Sequence, residues 1–186
     1  MFGAPVEQPD HAARAVDCAL AIDAFASAFA AEKRAEGIPL GVTRIGVNSG
    51  DAIVGNFGGE SYFDYTAHGD AINVAARLES VNKQLGARIC VSASTVSEHH
   101  RFHGRPIGGG KSEPLEAYEP LAQEASEDRS TTAYLAAYER LRAGDPAASR
   151  AFAAYVGEFG DDPLATFHLR RLLAGQSGAR IELAEK

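Results

Sequence analysis

Apolar positions divide the chain into segments of different period. From Asp10 to about Glu36 the text is Ala-rich, with larger apolar residues at Val16, Leu20, Phe25 and Phe29 and no internal Gly or Pro, which predicts one long amphipathic helix stopped by Gly37 and Pro39. Val42, Ile45, Val47, Ile53 and Val54 then form two short β-type runs around Asn48-Ser49-Gly50-Asp51, which reads as a β-hairpin. Gly55, Gly58 and Gly59 loosen the next stretch, and Tyr62-Phe63-Asp64-Tyr65-Thr66 resumes an extended character. A helix follows from Gly69-Asp70, with Asp70 as its expected N-cap, Ile72, Ala75, Ala76, Leu78 and Val81 on its apolar side and Gly86 at its end. Arg88 to Ser92 predicts a strand, Ala93 to His99 a short helix, and Ile107 with Leu115 to Leu121 a closing hairpin around Gly108-Gly109-Gly110.

Around Ala122 to Ser130 the text turns polar and acidic, and beyond it the pattern is helical throughout. Tyr134, Leu135, Tyr138 and Leu141 mark one helix, Gly144-Asp145-Pro146 a turn, Ala147 to Phe159 a second helix and Pro163 to Leu173 a third. The division this suggests is a first unit over 1–122, a linker over 123–130 and a helical tail over 131–186 that resembles a single tetratricopeptide unit. One such unit cannot make a solenoid, so it is expected to dock on the first unit or on a partner.

Composition narrows the function classes. Of 186 residues, 45% are hydrophobic and 23% charged, as in an ordinary folded protein, and the formal net charge of −7 leaves no basic footprint for nucleic acid or an anionic membrane. No apolar run approaches the roughly 20 residues of a membrane span, and no basic-then-apolar leader is present, which points to the cytoplasm. Cys18 and Cys90 have no Cys or His neighbour at metal-ligand spacing and read as reduced thiols. The histidines His99, His100 and His103 lack further ligands nearby and read as a solvated loop, while Tyr134, Tyr138, Phe152 and Tyr155 read as tail core. The glycines from Gly46 to Gly59 match neither a P-loop nor a dinucleotide fingerprint, and Asp51, Asp64 and Asp70 look like turn, strand and cap residues, so no metal ligand is assigned.

Asn73 and Arg77 lie four apart in a helix-forming run and so share a face. An isolated pair of this kind is more often a solvated helix surface than a site. The surrounding run, RIGVNSGDAIVGNFGGESYFDYTAHGDAINVAARLE from Arg44 to Glu79, changes that balance, because it resembles the second half of a class III nucleotide cyclase catalytic domain. The resemblance continues to Ser94 in its order of hairpin, glycine loop, aromatic strand, Gly-Asp helix, ARL and a strand ending in Ser.

That resemblance implies an α+β fold, part of a ferredoxin-like cyclase domain, followed by a small helical hairpin tail. It implies the formation of 3′,5′-cyclic AMP and pyrophosphate from ATP, with Asn73 orienting the ribose, Arg77 neutralising the transition-state phosphate and Thr66 reading the purine edge beside a lysine. A planar guanidinium suits that phosphate role, since it stays charged and donates two parallel hydrogen bonds. Threonine alone decides little between ATP and GTP. The family uses two Mg or Mn ions and pairs head to tail, so the implied partner is a second cyclase domain in a homodimer or heterodimer. Met1 to Pro5 resembles the segment just after the second metal-binding aspartate, so both metal ligands are expected before residue 1, the fragment is expected to be inactive alone, and an apolar face is expected to lie open. A further departure is Gly109, which stands where the family usually has a phosphate-contacting lysine ahead of Lys111. The competing expectation is a non-catalytic regulatory or dimerisation module derived from a cyclase.

Overall fold

Ile89 to Ser92 is an unbroken run of buried residues, as a strand covered on both faces requires. The computed structural model, which describes residues 1–59, 61–109 and 116–181, makes this strand, β4, the centre of a four-stranded sheet. The other members are β1 (Ile45–Val47), β5 (Gly104–Gly108) and β6 (Ala117–Pro120), in the order β1-β4-β6-β5. β1 runs parallel to β4, with Gly46 opposite Cys90, and the other neighbours are antiparallel. A separate two-stranded sheet pairs β2 (Ile53–Gly59) with β3 (Tyr62–His68).

The first hairpin expected from the sequence is therefore corrected. β1 does not turn back on β2 across Asn48-Gly50. It pairs with β4, more than forty positions away, and β2 pairs instead with β3. Val42 lies outside any strand and is exposed. The closing hairpin is observed as β5 and β6, while Gly110, Lys111, Ser112 and Leu115 fall outside the described residues.

Side-chain alternation along β4 separates two cores. Ile89 and Val91 pack with Val16 and Ala19 of α1 (His11–Ala35), and Cys90 packs with Leu78 and Leu85 of α2 (Asp70–Leu85). α1 thus covers one face together with α3 (Ala93–Glu98), and α2 covers the other. Only the first part of α1 is used in this way. Phe25 is 70% exposed and stacks on Phe29 on the outer surface, with Ile22 exposed beside them.

A short helix α4 (Gln123–Ser126) occupies the acidic stretch, and α5 (Arg129–Arg142), α6 (Ala148–Phe159) and α7 (Pro163–Leu173) follow. Tyr134, Tyr138, Phe152 and Tyr155 are buried as expected, and they belong to the same cluster as Leu78, Leu85, Cys90 and Ile107. The three tail helices therefore lie on the α2 side of the sheet and share its core. Asp162 caps α7 by accepting hydrogen bonds from the backbone N–H of Leu164 and Ala165, each at 3.0 Å, with Pro163 in the first turn. After α7 the chain returns to the sheet, where the Ile181 N–H donates to the Gly109 carbonyl at 2.7 Å. Gly108, at φ 138°, permits that approach, because a Cβ there would lie 2.4 Å from the Ala179 carbonyl oxygen.

Candidate functional site

The position of α2 is set by three contacts with β1 and the loop after it. Gly46 is the closest, since a Cβ on it would stand 2.0 Å from the Ala75 carbonyl oxygen and 2.6 Å from the Glu79 nitrogen, so only glycine lets the helix backbone lie directly on the strand. Asn82 is fully buried, donates to the Ile45 carbonyl at 2.9 Å and accepts from the Cys90 thiol at 2.9 Å. Asn48 fixes the other end, donating to the Ala71 carbonyl at 3.0 Å and accepting from Ser94 Oγ at 3.0 Å. Burial pushes the Cys90 thiol up to about 12, so it stays protonated as the donor to Asn82.

Helix α2 follows Gly69, its N-cap residue, whose φ of 147° turns the chain out of β3. Asp70 is not the cap that the sequence suggested. It is the first helical residue and makes no side-chain capping bond, although its carboxylate favours the positive end of the helix dipole. Gly86 closes the helix in the left-handed conformation at φ 72°.

Val74, Leu78 and Val81 face the core and Ala75 faces Gly46, which leaves Asn73 and Arg77 on the flank away from Ala75. Both are exposed, one turn apart, and among the described residues neither side chain has a hydrogen bond or ion pair. An extended guanidinium and a carboxamide about 6 Å apart along the axis can therefore meet a ligand that approaches from outside. Thr66 is half-buried on β3 opposite Gly55, three residues before the Gly69 turn, so the strand that carries it feeds straight into α2. The β2–β3 hairpin is apolar on its surface, with Ile53 72% exposed and Tyr62, Phe63 and Tyr65 exposed as well.

A recess of about 720 Å³ opens on the other flank of α2, lined by Ala15, Cys18 and Ile22 of α1, the Asn48 to Ala52 loop, and Ala71, Ile72 and Ala75. Asn73, Arg77 and Thr66 do not border it. Among the described residues no three His, Cys, Asp or Glu side chains gather as a metal site. Gly109 uses its backbone to hold the 179–181 segment.

Sequence reasoning overlooked Asn48 and Asn82, which hold the helix rather than the ligand. Asn82 carried a signal, an amide in the position after Val81 on a helix whose neighbours Leu78 and Leu85 are apolar. Asn48 was read as part of a turn and gave none.

Comparison with known proteins agrees with this architecture. The profile of the adenylate and guanylate cyclase catalytic domain matches residues 1–106. The chain belongs to that family. Adenylate cyclase 1 of Rhizobium meliloti (strain 1021) is 40% identical over 124 residues, which is 64% of this chain and 19% of that protein. The crystal structure of the adenylyl cyclase CyaB from P. aeruginosa superposes with a TM-score of 0.56 at 31% identity, covering 66% of this chain and 65% of that one. The guanylyl cyclase Cya2 gives a TM-score of 0.54 at 26% identity, covering 66% and 64%. The chain thus spans about a fifth of the length of its curated relative, and its fold is that of the α+β cyclase catalytic domain.

Proposed function

We propose that this chain supplies the Asn73 and Arg77 half of a nucleotide-cyclising site that forms 3′,5′-cyclic AMP and pyrophosphate from ATP in the cytoplasm. The observation that carries this reading is the pair itself, which is presented outward from a helix held by Gly46 and Asn82, with the core-facing residues around it buried. Membership of the cyclase family and likeness to adenylate cyclases supply the reaction class.

In this reading the 3′-hydroxyl of ATP attacks the α-phosphorus in line, forming one P–O bond as the bond to pyrophosphate breaks. Arg77 donates to the α-phosphate oxygens, where negative charge gathers in the transition state, and Asn73 donates to the ribose ring oxygen and fixes the attack angle. Thr66 contacts the purine edge. In this reading the Mg or Mn ions are held by the other half of the site; among the described residues no three His, Cys, Asp or Glu side chains gather.

The other half comes from a second cyclase domain, in a homodimer or heterodimer. The exposure of Asn73 and Arg77, without partners among the described residues, and the apolar outer surface of the β2–β3 hairpin support a site completed by another subunit. The test mixes this chain with a metal-competent cyclase subunit and measures cyclic AMP from ATP and Mn²⁺, with GTP run in parallel. Cyclic AMP that appears only in the mixture, and that disappears with Arg77→Ala, supports the reading. Association without Arg77-dependent turnover replaces it with a non-catalytic dimerisation module, and a preference for GTP reassigns the base.

A further inference from the structure

The tail is joined to the sheet by an ion network that lies outside the stretch matched to the cyclase family except for its first member, Arg105. Arg105 on β5 donates to Glu119 on β6 at 2.6 Å and to both oxygens of Asp162, the residue that caps α7. Its guanidinium lies over the Tyr134 ring of α5, 4.5 Å from the centroid, and the Tyr134 hydroxyl donates to the Pro106 carbonyl at 2.9 Å. Tyr155 of α6 donates to Asp162 at 2.8 Å. One side chain of the sheet therefore ties together all three tail helices.

The residue after Asp162 carries this anchorage to α2. A Cβ placed on Gly86, the left-handed cap of α2, would stand 2.6 Å from Pro163 Cβ, so the first residue of α7 abuts the end of the helix that bears Asn73 and Arg77. Leu164 and Ala165 continue the contact into the cluster that holds Leu78 and Leu85. α2 is thus gripped between Gly46 of the sheet on one side and the start of α7 on the other.

We infer that Arg105 and Asp162 are positioning residues for the Asn73 and Arg77 face, acting through the Pro163 to Gly86 contact, and that the helical tail sets the placement of α2. The inference rests on the cyclase reading for its catalytic consequence, but its structural content stands apart from it. Gly86 lies roughly 13 Å of helix below Arg77, a distance over which a stiff helix transmits a small shift with little loss. A displaced Arg77 meets the α-phosphate late, so the deficit falls on kcat more than on KM.

Two measurements on the full chain test this. Amide hydrogen exchange compares wild type with Asp162→Asn, which removes the charge while an amide oxygen can still cap α7. Peptides spanning 78–85 are expected to exchange about tenfold faster, with peptides from α1 unchanged. Loss of protection confined to α5, α6 and α7, with 78–85 unaltered, overturns the inference. Gly86→Asn tolerates the left-handed backbone but drives its Cβ into Pro163, and in the mixed-subunit assay it is expected to lower kcat about tenfold at unchanged KM, with Pro163→Gly restoring it. A Gly86→Asn deficit that Pro163→Gly does not relieve, in turnover or in exchange, also overturns it. If Asp162→Asn fails to fold, the Gly86→Asn and Pro163→Gly pair decides the matter. If wild type shows no turnover with its partner, the cyclase reading fails while the exchange comparison still judges the clamp.

Discussion

Replacing Gly46 by alanine separates the support of α2 from the chemistry proposed for its exposed face. The added methyl would sit 2.0 Å from the Ala75 carbonyl oxygen, 2.6 Å from the Glu79 nitrogen and 3.1 Å from the Ala75 carbonyl carbon, all of them backbone atoms that cannot rotate away. Ordinary carbon to oxygen contact needs more than 3 Å, so α2 must lift from β1 by about 1 Å. Overpacking of this kind costs about 1–3 kcal/mol. The same lift stretches the 2.9 Å bond from Asn82 to the Ile45 carbonyl inside the core, which adds about 1 kcal/mol. A chain of this size then loses roughly 5–12 °C in Tm, read by circular dichroism. In the mixed-subunit assay, a displacement near 1 Å predicts about a hundredfold fall in kcat although neither Asn73 nor Arg77 is changed. Turnover within twofold of wild type and an unaltered melting curve would refute the idea that backbone apposition at Gly46 places the pair.

Further substitutions probe the other links. Arg77→Ala, at an exposed position, should leave urea unfolding unchanged while removing about 3 kcal/mol of transition-state stabilisation in the mixed assay. Asn82→Ala strips one buried and one partly buried hydrogen bond and leaves the Ile45 carbonyl without that donor, so chemical denaturation should show a loss of about 2 kcal/mol. His168 is fully buried among Tyr134, Tyr138, Phe152 and Phe167, and burial lowers its pKa to about 3. The unfolded chain takes up that proton first, so the stability it reflects is intact above pH 6.5 and falls as the pH drops, by about 2 kcal/mol at pH 5. His168→Leu should flatten this part of the stability profile between pH 5 and 7, and an unchanged slope would show that another group governs it.

The local features of the fold were legible where a short stretch carries its own instruction. Gly86 announced the end of α2, Pro163 the start of α7, and the apolar spacing of Tyr134, Tyr138 and Leu141 the burial of α5. The pairing of β1 was not legible, because Asn48-Ser49-Gly50-Asp51 has the composition of a hairpin turn while the strand's true partner is set by burial on both faces of Ile89 to Ser92. Asp70 looked like a cap because its type suits that place, but Gly69 alone can adopt the φ of 147° that the turn from β3 demands. The pair proposed to carry the chemistry, Asn73 and Arg77, stood out through the family likeness of its surroundings. Its supports did not, since Asn48 reaches Ala71, Asn82 reaches Ile45 and Arg105 reaches Asp162 across 23, 37 and 57 positions.

The return of residues 179–181 onto Gly109 fastens the tail to the sheet beyond α7 as well as where it leaves β6 at Leu121, with the Arg105 anchorage between them. A bundle tethered by a single strap can swing aside as a unit, whereas one fastened at both ends must unbutton somewhere before it moves. The far fastening is not slight: Gly109 exchanges two backbone hydrogen bonds with the returning segment, Arg171 of α7 donates to the Gly178 and Arg180 carbonyls, and Ile181 is buried in the shared core. Freeing the helices therefore requires undoing contacts at both ends of the bundle.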